Sequence, residues 1–323
     1  MDPTALPLVF TAKDLARLGE LFEIDTDRVV TSFDELSAAE RSELAVLISG
    51  WGVFPLGPDE LEQLPSLRAV AHWGGGVGFL DPSAPTRGIA ISSARAANAV
   101  PVAEFTVAMI VLAAKDALWV SRQYAQEQRF INRETDLGHT GLYQRTIGVV
   151  GASSIGTEVM QMLQGHEVEV LLHHPRATAE RAARLGAELV DDLIELARRS
   201  SILSVHTPDI PELRGMISRE VLAALPDGAT VINTSRGRLI DQDALIEELQ
   251  HGRLRAILDV TEPDVLPAGH PLYSLPNVFL TPHLAGSMGN ELRRLGASTI
   301  AELERFVAGE PFQHPIAPYA PSH

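Results

Sequence analysis

The chain contains no cysteine among its 323 residues. This absence excludes disulfide bonds, a catalytic thiolate and cysteine-ligated metal sites. No spacing typical of metal ligands is seen for His72, His139, His166, His173, His206 and His251. The sequence therefore predicts no metal centre.

Positive charge is also scarce, with 26 Lys and Arg against 42 Asp and Glu, a net charge of −16. A field of this sign argues against nucleic acid or an anionic membrane as a partner. The N-terminal residues lack the pattern of a signal peptide. The most apolar run, residues 100–114, contains Glu104 and is short for a membrane span. We therefore expect a cytoplasmic protein with no membrane partner.

Hydrophobic residues make up 45% of the sequence, enough for two domains with cores of their own. Residues 146–150 form an apolar, β-branched run that is followed by a turn and then by a helical pattern. Such a strand–turn–helix unit binds a pyrophosphate at the helix N-terminus. The dinucleotide fingerprint G-x-G-x-x-G has Gly151 and Gly156 at its outer positions and Ser153 in the middle. An ordinary strand-to-helix turn is the alternative.

A regular alternation of strand and helix patterns continues from residue 146. It predicts strands at 146–150, 168–172, 202–205, 230–233, 255–258 and 278–280, and helices at 155–163, 177–185, 193–199, 220–225 and 244–249. About six such repeats indicate a doubly wound parallel sheet.

The first hundred residues predict a smaller α/β unit that ends near Asn98. Its apolar runs lie at 6–10, 44–48, 67–71 and 89–91, with helical patterns at 36–43 and 58–64. Residues 101–129 form one long helical pattern with Pro101 in its first turn, and a last helix is predicted at 290–308. We therefore predict one domain from residues 1–98, completed by 290–323, and another from 99–289.

Charged side chains follow three neighbouring strands of the predicted large sheet, at the edge where open α/β sheets bind ligands. Arg236 follows strand 230–233, and His283 follows strand 278–280. The carboxylates Asp259, Glu262 and Asp264 follow strand 255–258. Reduction of a 2-oxo acid needs these groups, because a guanidinium binds the carboxylate and carbonyl, and an imidazole supplies the proton.

The sequence resembles the D-2-hydroxyacid dehydrogenases, the D-isomer-specific NAD-dependent enzymes, over nearly its whole length. The motifs that carry the resemblance are Gly74-Gly75-Gly76-Val77 with Asp81, Asn98 with Val102-Ala103-Glu104, Gly151 with Gly156, Leu203 with His206-Thr207-Pro208, Ile232-Asn233-Thr234-Ser235-Arg236-Gly237 with Asp241, Leu258-Asp259-Val260, and Thr281-Pro282-His283 with Ala285-Gly286. The resemblance implies a Rossmann-type doubly wound sheet plus a smaller flavodoxin-like α/β substrate domain, with the reaction in the cleft between them.

The resemblance also implies a role for each catalytic candidate. Arg236 binds the substrate, and His283 acts as general acid in reduction and as base in oxidation. The family usually places a glutamate beside this histidine, and that position here is Asp264. Glu262 is the alternative partner. Hydride would pass between NAD(P)H and a small 2-oxo acid or D-2-hydroxy acid.

Binding residues follow from the same motifs. The implied substrate-binding residues are Gly75, Gly76, Val77 and Asn98. The implied cofactor-binding residues are Gly151, Ser153, Ser154, Ile155, Gly156, His174, Arg176, Thr207, Pro208, Thr234, Ser235, Asp259 and Gly286. A homodimer through the long helical region after Pro101 is implied as well.

Two departures from the family pattern concern the cofactor. Ser153 and Ser154 stand where the family often has Gly and Arg. His174 replaces the acid that would bind the ribose, and Arg176 could meet a 2′-phosphate. The cofactor is therefore left open as NAD(H) or NADP(H).

Two other functions remain on the same scaffold. One is an NAD(H)-sensing, corepressor-like binding protein, against which the presence of Arg236, Asp264 and His283 argues. The other is a phosphite- or formate-type dehydrogenase. Formate enzymes pair their histidine with glutamine, whereas this chain has Asp264.

Overall fold

The computed structural model describes residues 2–137 and 139–316 of the chain. These residues form two compact units, the first made of the residues up to Ala99 together with those from Ser287 onward. The second unit runs from Val100 to Gly286. Residues 317–323, which end the predicted C-terminal segment, lie outside the described residues.

The first unit has a small parallel sheet in which three strands follow one another in sequence order. The strands are β1 (Val46–Ser49), β2 (Ala69–His72) and β3 (Ala90–Ser93). The helices of this unit are α1 (Leu6–Val9), α2 (Ala12–Leu21), α3 (Ala38–Glu43), α4 (Pro58–Glu62) and, near the other end of the chain, α13 (Leu292–Val307).

The apolar run at residues 6–10 is not a strand of the small sheet, because it contains helix α1. Its apolar side chains pack against α13, so that Val9 and Leu295 are both fully buried. The two helices approach so closely that a Cβ on Gly296 would lie 2.3 Å from the carbonyl oxygen of Val9. These residues are therefore apolar because they are buried against a helix that is distant in sequence. The local hydrophobic pattern cannot predict such a contact.

The second unit is built on seven parallel strands in the order β10-β9-β8-β7-β4-β5-β6. The strands are β4 (Thr146–Val150), β5 (Glu169–His173), β6 (Glu188–Leu189), β7 (Ile202–Val205), β8 (Thr230–Asn233), β9 (Arg255–Leu258) and β10 (Val278–Leu280). The helices are α5 (Arg95–Ala114), which begins in the first unit, α6 (Ala117–Glu127), α7 (Arg133–Asp136), α8 (Ser154–Leu163), α9 (Ala179–Arg184), α10 (Leu193–Arg199), α11 (Arg219–Ala224) and α12 (Gln242–Gln250).

Helices cover both faces of this sheet, as a doubly wound fold requires. Successive strand residues alternate between two cores: Leu203 packs with α10, α11 and α12, whereas Ile202 packs with α5, α8 and α9. The same alternation holds for Val231 and Ile232 on β8. Both faces of the central strands β7 and β8 are buried, so these strands read as hydrophobic runs. The predicted doubly wound parallel sheet is confirmed.

The predicted long helix 101–129 is two helices, α5 and α6. The chain turns at Asp116, whose φ of 52° lies in the left-handed region, and the Asp116 carboxylate pairs with Arg255 of β9. Pro101 lies inside α5 and not in its first turn, because the helix already begins at Arg95.

The apolar run at residues 100–114 is part of the longer helix α5, which has 20 residues. By length and composition alone, α5 could cross a membrane. In the structure its Ile110 and Ala113 pack in the core beneath the sheet.

Candidate active site

The carboxyl ends of the parallel strands of the second unit share one edge, where the loops after β4, β5, β7, β8, β9 and β10 lie. These loops carry every cofactor and catalytic candidate of the sequence analysis. The substrate candidates Gly75, Gly76, Val77 and Asn98 belong to the first unit.

The loop after β4 has the geometry of a dinucleotide-binding turn. Gly151 has a φ of 104°, and a Cβ there would lie 2.5 Å from the carbonyl oxygen of His206. A Cβ on Gly156 would lie 2.2 Å from the carbonyl oxygen of Gly151. Both glycines are therefore required by close backbone packing, as the fingerprint demands.

Ser153 fits this loop without strain. Its backbone is extended, and its Oγ accepts a hydrogen bond from the Gly156 N–H at 3.3 Å, which caps α8. Ser154 is the first residue of the helix, and the Ile155 side chain is partly buried beneath it. The helix N-terminus thus remains available for a pyrophosphate, and the residues present fit a dinucleotide.

A positively charged group that the sequence analysis missed lies beside this loop. Arg181, on α9, donates from Nη2 to the carbonyl oxygen of Ala152 at 3.2 Å. His174 follows β5 directly, and Arg176 lies in the turn after it. Burial, Arg181, Arg176 and His173, in that order, lower the pKa of His174 below its ordinary value. Three basic side chains thus lie beyond the end of β5: His174 and Arg176 from the loop, and Arg181 from helix α9.

The loop after β8 is held by a buried asparagine at the end of the strand. The Asn233 side chain accepts from the Ser235 N–H at 3.0 Å and donates to the carbonyl oxygen of Arg236 at 2.9 Å. The Thr234 hydroxyl lies 3.0 Å from that of Thr106 on α5. This clamp fixes the backbone from which Arg236 projects.

Arg236 itself is exposed, and its Nη1 donates to the carbonyl oxygen of Ser235 at 2.6 Å. It has no carboxylate partner among residues 2–137 and 139–316. The nearby Arg238, in contrast, pairs with Glu262 at 2.8 Å. The Arg236 guanidinium therefore keeps donors for a ligand.

Asp259 organises the loop after β10. Its buried Oδ1 accepts from the Thr281 hydroxyl at 2.6 Å and from the Leu284 N–H at 2.8 Å. Its Oδ2 accepts from the Ala285 N–H at 2.9 Å, next to Gly286, and its carbonyl oxygen accepts from the His283 N–H. His283 is exposed with a φ of 55°. Asp259, which the resemblance implies as a cofactor-binding residue, thus also positions the histidine.

The structure does not join His283 to either candidate carboxylate. Within the described part of the chain, no Asp or Glu lies at hydrogen-bond or ion-pair distance from the His283 ring. Glu262 is engaged by Arg238, and its N–H donates to Gln242. The exposed Asp264 carboxylate has no such partner in the described residues. Of the two carboxylates, Asp264 is therefore the one available to pair with His283.

Thr207 and Pro208 follow β7, next to the fully buried His206. Thr207 donates to the sulfur of Met216 at 3.4 Å. His206 bonds Ser204 at 2.8 Å through Nε2, and burial lowers its pKa to about 3. His206 is thus a neutral packing residue directly beneath the glycine loop, since a Cβ on Gly156 would lie 3.1 Å from its Cβ.

The glycine loop of the first unit follows β2. A Cβ on Gly75 or Gly76 would meet nothing within 4 Å, so the backbone there is open to a ligand. The Gly75 carbonyl accepts from Ser93 at 3.2 Å, and that of Val77 accepts from the Leu80 N–H at 3.0 Å. The Asn98 side chain accepts from the Ser287 N–H at 2.9 Å, which ties the end of this unit's first segment to its second.

Among residues 2–137 and 139–316, no three His, Asp or Glu side chains are grouped closely enough to hold a metal ion. The strand order and the glycine loop together define a Rossmann-type dinucleotide-binding domain.

Comparison with known proteins gives the family. Residues 107–285 match the family model described as D-isomer specific 2-hydroxyacid dehydrogenase, NAD binding domain. The chain is 31% identical over 299 residues to D-3-phosphoglycerate dehydrogenase of Methanocaldococcus jannaschii, covering 91% of this chain and 55% of that protein. It is 30% identical to glyoxylate reductase of Korarchaeum cryptofilum, with 94% of each chain covered.

A solved structure shows the same fold. The apo form of Rhodotorula graminis D-mandelate dehydrogenase matches with a TM-score of 0.81 and 27% identity, over 97% of this chain and 96% of that one. The chain belongs to the D-isomer specific 2-hydroxyacid dehydrogenase family. It spans little more than half the length of the phosphoglycerate dehydrogenases that it matches.

Proposed function

We propose that this chain is an NAD(H)- or NADP(H)-dependent oxidoreductase that interconverts a small 2-oxo acid and its D-2-hydroxy acid. The observation that carries the proposal is one sheet edge of the second unit. It holds the Gly151–Gly156 turn, the guanidinium of Arg236 without a carboxylate partner, and a His283 whose backbone is fixed by Asp259.

The cofactor-binding residues are assigned from the loops of this edge. The pyrophosphate takes the N-terminus of α8, where backbone N–H groups and the helix dipole favour an anion. When bound, the cofactor supplies or accepts the hydride. The residues assigned to it are Gly151, Ser153, Ser154, Ile155, Gly156, His174, Arg176, Thr207, Pro208, Thr234, Ser235, Asp259 and Gly286.

Arg236 is assigned to the substrate. A guanidinium presents its donors in a fork that matches a carboxylate or the carboxylate and carbonyl of a 2-oxo acid. Its hydrogen bond to the Ser235 carbonyl holds the fork near the Asn233 clamp. The open backbone of Gly75 and Gly76, with Val77 and Asn98, is assigned to the same substrate.

His283 is assigned the role of proton donor and acceptor. Its imidazolium donates to the carbonyl oxygen on which charge develops during reduction, and the neutral ring takes the proton back during oxidation. A carboxylate beside the ring would favour the charged form, and the freer Asp264 is assigned this role. The dyad would then form on ligand binding, since the two side chains are not bonded here.

We also propose a homodimer in the cytoplasm, formed through the segment after Pro101. Support comes from Tyr124 and Phe130, whose large apolar side chains are 60% and 79% exposed. Light scattering after size exclusion should give the mass of two chains. Phe130→Asp should lower it to one, whereas Ile194→Asp, at another exposed apolar residue, should not. A single-chain mass for the unsubstituted protein contradicts the dimer.

The activity is tested by following oxidation of NADH and of NADPH with a panel of 2-oxo acids. Phosphite and formate, each with the oxidised cofactors, are added as controls for the other dehydrogenase classes. We expect turnover with at least one 2-oxo acid, and a loss of about 10²–10⁴-fold in His283→Ala. NADH binding without turnover on any compound would favour a sensing protein instead. Equal turnover by His283→Ala would remove this residue from the mechanism.

A further inference from the structure

Two tryptophans lie at the carboxyl end of the small sheet in the first unit, where its glycine loop begins. Trp51 comes two residues after β1, and Trp73 directly follows β2. Their rings meet edge to face, with centroids 5.0 Å apart and planes inclined by 71°. Trp73 is fully buried, whereas Trp51 is 44% exposed. The buried indole therefore supports a second indole that is open to solvent.

The strand register brings Trp51 to the start of the glycine loop. Ser49 of β1 pairs with His72 of β2, and the Trp73 N–H donates to the Ser49 carbonyl oxygen at 2.9 Å. Two residues beyond this pair stand Trp51 on one chain segment and Gly74 on the other. Trp51 therefore borders the loop whose open backbone is assigned to the substrate.

The backbone around Trp51 is fixed on both sides. A Cβ on Gly50 would lie 1.7 Å from the Trp73 ring, so the chain can pass this close to the buried indole only with glycine there. The Trp51 carbonyl oxygen accepts from the Asp2 N–H at 2.8 Å, and Gly52 turns the chain away with a φ of 71°. An exposed ring on a fixed backbone loses little freedom when a ligand packs on it.

The loops after β1 and β2 form one uncharged surface. Residues 50–57 and 73–80 include no Asp, Glu, Lys, Arg or His, although 21% of the chain is charged. Two backbone hydrogen bonds join the loops, from the Leu56 N–H to the Phe79 carbonyl oxygen at 2.7 Å and from the Asp81 N–H to the Leu56 carbonyl oxygen at 2.8 Å. A ligand on this surface therefore meets apolar side chains and backbone groups.

Charged residues stand just outside these loops. Asp81 follows the second loop, and its hydrogen bonds with Ser83 lower the pKa of its carboxyl group, which is therefore ionised at neutral pH. Arg95, which begins α5 just after β3, is an exposed cation at the same end of the sheet. The role of Arg95 is therefore part of the test below.

We propose that the side chain of the 2-oxo acid is aromatic and uncharged, and that it packs on the exposed surface of Trp51. The proposal rests on the proposed function, because it names the substrate class of that same site. An aromatic ring gains from burial of apolar area and from the edge-to-face geometry that Trp51 and Trp73 already show. A phosphate or a second carboxylate would lose hydration here, and the two loops offer it no charged partner.

The test compares kcat/KM at saturating cofactor for 2-oxo acids that differ only in their side chain. Phenylpyruvate carries an aromatic ring, 2-oxoisocaproate a branched aliphatic chain, hydroxypyruvate a hydroxyl group and phosphohydroxypyruvate a phosphate, and glyoxylate has no side chain. We expect kcat/KM for phenylpyruvate to exceed that for the polar and charged acids by ~10-fold or more.

Substitutions at Trp51 test the contact itself. Trp51→Ala should lower the ratio of kcat/KM for phenylpyruvate to that for glyoxylate by ~10-fold or more, mainly through a higher KM for phenylpyruvate. Trp51→Phe should retain most of the ratio, because a ring remains, which a purely structural role of Trp51 would not explain. Tyr143→Ala removes another exposed aromatic side chain, in the second unit, and should leave the ratio unchanged. Thermal unfolding of each variant shows whether it is folded.

The failures are distinguishable. Turnover that is highest with glyoxylate, 2-oxoisocaproate or hydroxypyruvate overturns this inference and leaves the proposed function standing. The same holds if phosphohydroxypyruvate is preferred and Arg95→Met abolishes that preference. An unchanged ratio in folded Trp51→Ala overturns the contact with Trp51. If no 2-oxo acid is turned over, the proposed function and the inference fail together.

Discussion

Two buried polar residues, Asn233 and Asp259, orient the groups that the proposed chemistry uses. Each stands at or just after a strand end, and each bonds to the loop that carries a functional side chain. The family resemblance identified Asp259 as a cofactor-binding residue. It predicted neither the hydrogen bonds of Asp259 to residues 281–285 nor those of Asn233 to the loop after β8. Such partners depend on tertiary distances, which a single sequence does not contain.

Asp259→Asn should destabilise the second unit. The Asp259 carboxylate accepts three hydrogen bonds, and an amide nitrogen at the Oδ2 position would face the Ala285 N–H as one donor against another. A buried donor left unpaired costs about 1–3 kcal/mol. Urea unfolding should show this loss, and Thr281→Val, which removes one hydroxyl, should cost less. No change in unfolding free energy for Asp259→Asn would contradict the positioning role.

Arg236→Ala should impair substrate binding more than cofactor binding. We expect KM for the 2-oxo acid to rise by ~10-fold or more, because a charge-assisted, forked contact is lost. The dissociation constant of the dinucleotide should change much less than this KM. Arg238→Ala is the control, since it breaks only an exposed ion pair with Glu262, worth about 0–1 kcal/mol. Equal effects of the two substitutions would contradict the assignment.

At the scale of elements, strand prediction was accurate for five of the seven strands of the large sheet. The predicted bounds of β4, β7, β8, β9 and β10 agree with the structure, because short, mostly apolar runs between turns leave few alternatives. The two-residue strand β6 was missed for lack of any such run. The break at Asp116 depends on a pairing with Arg255, 139 residues away in sequence.

Gly156→Ala tests the strand–turn–helix unit. The new methyl group would lie 2.2 Å from the Gly151 carbonyl oxygen, a backbone atom that cannot move without displacing β4. Overpacking of this kind costs about 1–3 kcal/mol and should also weaken dinucleotide binding. Gly165→Ala, just after the same helix, meets only an ordinary contact at 3.7 Å and should be tolerated. Unchanged binding and stability in Gly156→Ala would contradict the close packing.

On the scale of the whole molecule, each unit contains a deeply buried histidine, His72 in the first and His206 in the second. Burial lowers the pKa of His72 to about 4 and that of His206 to about 3. His72 bonds Ser49 at 3.0 Å and stands next to the Gly75 loop of its own unit. Charging either ring would require a cation inside a core, so both resist protonation while the fold is intact.

These two histidines predict acid sensitivity. Their folded pKa values lie below the unfolded value of about 6.5, so the unfolded state binds more protons as the pH falls below 6.5. Stability is full above about pH 6.5 and falls toward pH 4, by up to roughly 1.4 kcal/mol per pH unit for each histidine. Thermal unfolding between pH 7 and pH 4.5 should show the decline. It should be shallower in His72→Asn and His206→Asn, whereas His251→Asn, on the surface, should match the unsubstituted protein.

The contact of Gly296 with Val9 has a consequence for the order of synthesis. The second unit is one uninterrupted stretch, so it can fold as soon as it leaves the ribosome. The first unit waits, because the partner that covers α1 is translated almost three hundred residues later. Until then the early apolar side chains that α13 will cover stay exposed to solvent on the growing chain.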